Sequence, residues 1–478
     1  MNTKNITSVS VYLESRTSLK EFPWVKALFL YILSWSWPLL RPNTFYWDDW
    51  SFYFARTLSY SREIHNKDFG RPPWGKVIEE LFLHIGPWLV TLGTFVGLFV
   101  VGLLLFEILY TIPEIGATQR CLIVLLFLIV PVNHARVCLT IFDYTSSYVA
   151  FFTGWLILAR SRSTRSFITA AIILFFSFKT HSILFFNLLP FAHFLWLRRF
   201  EIYREKFNFR YLTFPAVLGL LPILYLLLRS KFWSLIPGDV YQQPTTKGFL
   251  VGIYPLALST LFLVGVALRI GYFKRPVRAG FILLAFGFFA VSLALFPYFL
   301  AELYVGYAGR PAYITVFEFR ADWRSRHQLL MPLGLALSVV GLNELFKWKR
   351  YKNIFAGFIV VVSVALNMFW GSQYFLQSHK QEQLVELFKS TKGNLDIASV
   401  GDQTLRFNGR ENDFRGYEWD GFMTLAGIPT ERPGCEALPD GSVVVLKSDK
   451  PYLKALVSRD LGLYFDVTPC SEVLAKDG

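Results

Sequence analysis

Long apolar stretches alternate with short polar connections along most of this 478-residue chain. A membrane-spanning helix needs about 20 predominantly apolar residues, within a range of about 17 to 25. By that criterion the pattern predicts eleven candidate spans, although the two runs that flank Lys179 could instead form one broken helix. The apolar runs cover residues 24–40, 87–111, 119–133, 145–160, 166–178, 182–197, 210–228, 248–270, 279–300, 328–346 and 354–370.

Composition supports the same fold class. Hydrophobic residues make up 54% of the chain and charged residues 17%, whereas a soluble domain carries about a quarter charged residues. We therefore expect an α-helical polytopic membrane protein. The net charge is +14, but the basic residues form short clusters between apolar runs and no continuous stripe, so we expect no nucleic-acid partner.

The basic clusters occupy alternate connections, which predicts the orientation by the positive-inside rule. With a cytoplasmic N-terminus and a first span that is retained, all four clusters face the cytoplasm. They comprise Arg160, Arg162 and Arg165; Arg198, Arg199, Arg204, Lys206 and Arg210; Arg269, Lys274, Arg275 and Arg278; and Lys347, Lys349, Arg350 and Lys352. The expected location is a bacterial inner membrane, with the C-terminus in the periplasm.

Three segments follow from this topology. Residues 1–23 form a cytoplasmic tail, residues 24–370 a transmembrane domain with a first outer loop at 41–86, and residues 371–478 a periplasmic domain. Soluble composition in the last segment predicts a small α/β fold, with strands at 396–400 and 442–446 and helices at 381–390 and 452–461. Cys435 and Cys470 could pair in an oxidising periplasm, whereas Cys121 and Cys138 are expected to be buried.

Two adjacent carboxylates, Asp48 and Asp49, follow the first apolar run within a group of aromatic residues that includes Tyr46, Trp47 and Trp50. Such aromatics are enriched where a membrane protein meets water. One aspartate could cap a short helix near Trp50, but a cap explains only one of the two. We interpret the pair as catalytic, because a desolvated carboxylate can take a proton from a hydroxyl nucleophile. Trp47 and Trp50 are expected to contact the substrate.

Three further groups of polar residues lie on the same predicted side. Lys179 and His181 share a short turn and would suit a phosphate leaving group, or they form an ordinary loop lysine with an interfacial histidine. An arginine cluster could bind a lipid phosphate or form salt bridges with Glu318 and Asp322. This cluster comprises Arg320, Arg324, Arg326 and His327. His134, Arg136 and Asp143 form a weaker set, which position alone recommends.

The arrangement resembles the GT-C superfamily of integral-membrane glycosyltransferases. The likeness rests on a cytoplasmic N-terminus, one span, an acidic pair at the start of the first outer loop, about eleven spans and an outer C-terminal domain, and it covers residues 20–370. It implies transfer of a sugar from a polyprenyl-phosphate donor to an extracytoplasmic glycan, lipid or protein acceptor. The sequon-binding motif of an oligosaccharyltransferase is not found.

The resemblance also implies roles for the candidate residues. Asp48 or Asp49 would be the base, and direct displacement would invert the sugar configuration. Lys179, His181 and the arginine cluster would hold the donor phosphate. A divalent metal, Mg or Mn, remains open, because some relatives use one and two carboxylates alone do not decide it. The acceptor expected by analogy is a cell-envelope glycan such as lipopolysaccharide.

Two other classes of protein would also handle lipid-linked sugars. A transporter or flippase would need symmetry or broken helices at mid-membrane, and the chain shows no inverted repeat. An envelope polysaccharide polymerase or ligase would depend on outer arginine and histidine residues without an acidic base in the first loop. Whether Asp48 and Asp49 are dispensable separates both alternatives from a glycosyltransferase.

Overall fold

The computed structural model describes most of the chain as helix. The described residues are 21–47, 49–50, 77–160, 163–180, 182–204, 210–232, 245–272, 277–300, 325, 328–390, 400–402, 416–427 and 442–469. In chain order the helices are α1 Trp24–Trp35, α2 Trp37–Leu40, α3 Val77–Ile85, α4 Pro87–Tyr110, α5 Ala117–Ile129, α6 Phe142–Arg160, α7 Thr164–Ser177, α8 Ser182–Phe186, α9 Leu188–Arg204, α10 Arg210–Phe232, α11 Thr246–Gly271, α12 Ala279–Leu300, α13 Met331–Leu345, α14 Lys349–Ser390, α15 Gly416–Leu425 and α16 Tyr452–Ser458.

Apolar helices of membrane-spanning length confirm a helical membrane protein. Among the described residues, four helices are long and apolar enough to cross a membrane: Pro87–Tyr110, Thr246–Ile270, Ala279–Leu300 and Lys349–Ser390. Each of the eleven apolar runs overlaps at least one helix, although several of these helices are shorter. The runs on either side of Lys179 are separate helices, since α7 ends at Ser177 and α8 begins at Ser182. The number of spans stays a prediction.

Helices α12 and α13 pack closely through glycines spaced seven residues apart. A Cβ atom added at Gly334 would lie 2.7 Å from the Val291 backbone nitrogen, and one added at Gly341 would lie 3.0 Å from the Gly280 carbonyl oxygen. Gly280 thus meets Gly341 while Gly287 meets Gly334, so the helices run antiparallel. In a membrane, small residues let backbones approach and gain van der Waals contact.

Helix α14 joins the apolar part of the chain to its C-terminal part. Its 42 residues correspond to a length of about 63 Å at 1.5 Å per residue. The apolar half is largely exposed, whereas residues 371–384 are mostly buried. The helix continues through residue 371, where the sequence predicts a domain boundary, because residues 41–47 and the C-terminal part pack on its far half.

The C-terminal part contains a three-stranded sheet in the order β1-β2-β3. Strand β1 (Val400–Asp402) pairs in parallel with β2 (Ser442–Ser448), which pairs antiparallel with β3 (Leu463–Pro469). The predicted strand at 442–446 and helix at 452–461 correspond to β2 and α16, but the predicted helix at 381–390 is the end of α14. Strand β3 was not predicted from the sequence.

The four cysteines divide between the two parts of the chain. Cys138 is buried, as expected, whereas Cys121 is only half-buried. Cys435 and Cys470 lie outside the described residues, so their pairing stays a prediction.

Candidate functional site

Residues 44–47, 49 and 50 belong to a tight turn. The backbone N–H of Asp49 donates to the Tyr46 carbonyl at 3.0 Å, and that of Trp50 donates to the Trp47 carbonyl at 3.1 Å. Trp47 has a left-handed backbone with a φ of 49°, which costs roughly 1–3 kcal/mol in a residue other than glycine. Contacts around the turn must therefore hold it in this conformation.

Asp49 supplies the main contact. It is 1% exposed, and its carboxylate accepts three backbone N–H groups. Oδ2 accepts from Tyr46 at 3.1 Å and from Leu139 at 3.0 Å, while Oδ1 accepts from Thr140 at 3.0 Å. Asp49 thus closes the turn through the Tyr46 N–H, and it also ties the turn to a segment 90 residues later. Asp48 lies outside the described residues.

Aromatic rings surround the turn. The Tyr46 hydroxyl donates to the Tyr374 carbonyl of α14 at 3.0 Å, and the Trp47 ring meets the Tyr374 ring edge-on at 5.8 Å between centroids. Trp50 is 2% exposed and packs edge-on against Phe422 of α15 at 4.7 Å. Trp47 is half-buried and keeps surface that a substrate could contact, whereas Trp50 is covered.

The partner of the turn is residues 133–143, which comprise most of the connection between α5 and α6 and the first two residues of α6, and which we call the 133–143 connector. It holds two 3₁₀ turns, His134–Val137 and Leu139–Ile141, and Asn133 has a left-handed φ of 57°. The Asn133 N–H donates to the side chain of Gln328 at 2.9 Å, and the Ala135 N–H donates to Ser325 at 2.7 Å. The connector is therefore fixed by side chains from a distant segment.

Ser325 and Gln328 lie within the predicted arginine cluster. Ser325 stands between Arg324 and Arg326 in the sequence, and Gln328 directly follows His327. Arg320, Arg324, Arg326 and His327 lie outside the described residues. What the structure establishes is that the residues beside them contact the connector.

Arg136 is the buried cation of the connector. Its Nη2 donates to the Val132 carbonyl at 2.7 Å and its Nε donates to the Asn133 carbonyl at 3.1 Å. Its guanidinium lies 3.6 Å from the Trp35 ring centroid. Burial lowers the pKa of Arg136 to about 10, so it stays charged at neutral pH. Within the described part of the chain it has no ion pair with a carboxylate.

A small cavity borders this guanidinium. Its polar lining consists of Asn133, Arg136 and Tyr148, and apolar side chains complete it. The Asn133 Oδ1 and the Tyr148 hydroxyl are buried and have no hydrogen-bond partner among the residues that the structure describes. A buried charge beside unsatisfied polar atoms is costly, so this pocket is a second candidate for a polar ligand group.

Lys179 is held by helix α6. Its Nζ lies 3.3 Å from the Asp143 carboxylate and donates to Ser146 at 2.7 Å. Thr180 donates to Ser147 at 2.9 Å beside it. The charge of Lys179, which the sequence assigns to phosphate, is therefore balanced by Asp143 of the connector. His181 lies outside the described residues.

These contacts bring three predicted segments to one place. The Asp49 turn, Ser325, Gln328 and Lys179 all contact residues 133–143. The sequence ranks this connector as the weakest candidate, although it carries Arg136 and Asp143 between two apolar runs. Nothing in the sequence around Tyr374 of α14 predicts that it belongs to this site, because only the tertiary structure brings α14 over the turn.

Metal binding finds limited support at this site. No group of three or more histidine, cysteine, aspartate or glutamate residues that could hold an ion occurs among the described residues. Both carboxylate oxygens of Asp49 already accept backbone N–H groups. We therefore assign no step to Mg or Mn.

A second polar cluster lies where α2 ends beside α14. Arg41 pairs with Glu382 at 2.6 Å, and its Nη2 lies 3.0 Å from His379 Nδ1. The Arg459 guanidinium lies 6.0 Å from the Phe375 ring, which stacks edge-on against His379. Burial first, and then the charge of Arg41, lower the pKa of His379. Arg41, Glu382 and Arg459 are the charged groups that face it.

We expect stability to fall on acidification from pH 7.5 to 5.5. Burial lowers the pKa of His134 to about 3, and His379 shifts in the same direction. In the unfolded chain each histidine is protonated below about pH 6.5, whereas in the folded protein it stays neutral to lower pH. Its contribution to the free energy of unfolding is therefore present above pH ~6.5 and is lost as the pH falls below that value. The loss is at most about 1.4 kcal/mol for each histidine.

Thermal unfolding of the detergent-solubilised protein at both pH values measures this loss. His379→Gln should reduce the pH dependence, leaving the part that His134 contributes. An unchanged dependence in His379→Gln would mean that His379 has the same pKa in the folded and the unfolded protein.

No protein-family model, no curated protein and no solved structure matches this chain.

Proposed function

We propose that the chain is a glycosyltransferase that moves a sugar from a polyprenyl-phosphate donor to an extracytoplasmic acceptor. The observation that supports the proposal most strongly is the set of contacts made by the 133–143 connector. It contacts segments that the sequence independently assigns to the base and to phosphate binding. Four helices of membrane-spanning length agree with a donor that enters from the bilayer.

In this proposal the two carboxylates differ in role. Asp49 is a positioning residue, because its oxygens accept three backbone N–H groups and such bonds stabilise the ionised form against accepting a proton. Asp48 is the base. Strain at Trp47 beside it is typical of a functional turn.

The proposed reaction is a single displacement. Asp48 takes the proton of the acceptor hydroxyl while that oxygen attacks the anomeric carbon. The bond from the anomeric carbon to the phosphate oxygen breaks, polyprenyl phosphate leaves, and the configuration inverts. Phosphate is a good leaving group, so no second carboxylate is required as an acid, unlike glycoside hydrolysis.

The donor phosphate needs cations that no carboxylate has already neutralised. Arg136 meets that condition among the described residues, and the arginine cluster of 320–327 supplies further candidates next to Ser325. Lys179 is paired with Asp143, so we assign it to positioning α6 unless substrate displaces the pair. Arginine binds phosphate bidentately and remains charged.

The finer topology belongs to the same proposal. It comprises eleven spans, a cytoplasmic N-terminus, and a C-terminal α/β domain on the periplasmic face of a bacterial inner membrane. The acceptor by analogy is a cell-envelope glycan, lipid or protein. This places Asp48 and the connector on the outer face, where a lipid-linked sugar and an exported acceptor meet.

Mass spectrometry of envelope glycans tests the function. Three strains are compared: one with the intact protein, one that lacks it, and one with Asp48→Asn at equal membrane abundance. The deletion and the Asp48→Asn strain should lose the same single-sugar mass, because removing a general base lowers the rate by about 100-fold to 10,000-fold. An unchanged glycan in Asp48→Asn would overturn the base assignment.

A glycan that loses many sugars at once in the deletion would instead favour a polysaccharide polymerase or ligase. Loss of all lipid-linked sugar at the outer leaflet, with Asp48→Asn fully active, would favour a transporter or flippase. Lys389→Gln, an exposed residue at the far end of α14, is the matched control and should retain the full glycan.

A further inference from the structure

The cavity beside Arg136 lies inside the helical bundle, between four helices and the 133–143 connector. It has room for about one water-sized species. A species that enters it meets three polar side chains and otherwise apolar ones. The lining residues are Leu98 of α4, Phe127 and Leu128 of α5, Tyr148 of α6, Pro332 of α13, and Leu329, Asn133 and Arg136.

The contacts of Arg136 leave its charge without a counter-charge. Its guanidinium donates to the carbonyls of Val132 and Asn133 and to the hydroxyl of Tyr31, and all three acceptors are neutral. The Trp35 ring beside it, at 3.6 Å, offers a quadrupole and no net charge. Within the described part of the chain, the ionisable groups that act on Arg136 are tyrosines and include no carboxylate. A buried cation is costly unless an anion pairs with it.

Two further polar groups of the cavity can donate a hydrogen bond into it. The Tyr148 hydroxyl has no partner among the described residues, and Tyr148 is 1% exposed. The Asn133 Oδ1 is unpartnered in the same sense, and Asn133 is 2% exposed. Because no donor holds that oxygen, a half-turn of the amide brings its NH₂ group into the cavity instead. Guanidinium, phenol and amide donors then converge on one small space.

A halide ion matches this space in size, charge and hydrogen bonding. Water is small enough and would satisfy the unpartnered groups, but it leaves the guanidinium charge uncompensated. A phosphate group is larger than the cavity, and its dianion exceeds the single charge of Arg136. A halide carries one negative charge, is close to water in size, and accepts hydrogen bonds from any direction. The weakly hydrated guanidinium of arginine suits such a partner.

We propose that this cavity binds a halide ion, chloride in the cell, between the Arg136 guanidinium, the Tyr148 hydroxyl and the Asn133 amide. The ion neutralises Arg136 and joins the connector to α6. It therefore stabilises the connector that contacts the Asp49 turn and Ser325. The halide site goes beyond the glycosyltransferase assignment and does not rest on it, because the arginine cluster of 320–327 remains for the donor phosphate while Arg136 is occupied.

Bromide is a direct probe of the full-length protein. Crystals grown with sodium bromide should show an anomalous bromine peak in the cavity, within hydrogen-bond reach of Arg136 and Tyr148. In detergent, replacing sodium gluconate by the same concentration of sodium chloride or bromide should raise the unfolding temperature by at least about 2 °C, because an ion that binds only the folded state stabilises it. Gluconate is too large for the cavity.

Tyr148→Phe isolates the site from general salt effects, because it removes one donor and keeps the ring. This variant should fold in gluconate and should need at least about five-fold more chloride for half of the thermal shift, since a hydrogen bond to a charged group is lost. Tyr225→Phe is the matched control. It also changes a fully buried tyrosine, but Tyr225 does not line the cavity, so its chloride response should equal that of the unmodified protein.

The proposal is wrong if chloride and bromide leave the unfolding temperature unchanged and no bromine peak lies in the cavity. An equal chloride response in Tyr148→Phe and the unmodified protein would also overturn it. Stabilisation by sodium phosphate that halides do not give would replace the halide with an oxyanion. None of these measurements involves sugar transfer, so each negative result would leave the proposed function untouched, and an active Asp48→Asn protein would leave the halide site untouched.

Discussion

Asp49→Ala is expected to lower the free energy of unfolding by about 3–5 kcal/mol. The substitution removes the acceptor of three backbone N–H groups at a site that is 1% exposed. Each buried donor left without a partner costs about 1–3 kcal/mol, and water that enters the gap recovers part of that. The turn would also lose its tie to the connector and its support for the left-handed Trp47.

Thermal unfolding in detergent and limited proteolysis measure this effect. Asp48→Asn is the matched comparison, because it changes the adjacent carboxylate, and it should keep the unfolding temperature while it abolishes transfer. Asp49→Asn retains one acceptor oxygen and should fall between Asp49→Ala and the unmodified protein. A fully stable Asp49→Ala protein without transfer activity would reverse the roles that we assign to the two aspartates.

Gly287→Val is expected to disrupt the packing of α12 against α13 and to lower the stability by more than about 3 kcal/mol. A Cβ atom at this position would lie 2.7 Å from the Ser338 backbone nitrogen and 3.1 Å from the Gly334 carbonyl oxygen. Those atoms belong to the opposing backbone, so a rotamer change cannot relieve the overlap and the helices must separate. Overpacking of this kind typically costs about 1–3 kcal/mol even where side chains can yield.

Gly265→Ala in α11 is the matched control. It is also a helical glycine, but a Cβ atom added there meets no atom within 4 Å. Alanine is favoured over glycine in a helix by about 1 kcal/mol, so the control should be neutral or slightly stabilising. Unfolding temperature and detergent-solubilised yield compare the two variants. Equal stability of Gly287→Val and Gly265→Ala would show that α12 and α13 are not in close contact.

The candidate site divides into a part that local pattern could predict and a part that it could not. Adjacent carboxylates among aromatics mark the Asp49 turn in the sequence, because charged groups near an apolar run are costly and stand out. The same pattern could not show that the Asp49 carboxylate accepts hydrogen bonds from two segments. Its two additional donors, Leu139 and Thr140, come from a connector with no strong motif.

The phosphate-binding candidates show the same division. A lysine in a short turn between apolar runs is visible in the sequence, and so is the arginine cluster of 320–327. The pairing of Lys179 with Asp143 at 3.3 Å depends on how α6 and α7 pack. Arg136, which position alone recommended, proves to be the buried cation of the connector.

The sequence by itself determined the helical membrane class and the location of the helices, because an apolar helix satisfies its backbone hydrogen bonds within one local segment. Only the tertiary structure decided what gathers around the turn at 44–50 and around the 133–143 connector. Those contacts join residues 90, 195 and 328 positions apart, and helical periodicity carries no information over such separations. The continuous α14 was decided in the same way. Its far half is polar enough to resemble a separate domain, yet it remains helix because the turn and the C-terminal part pack on it.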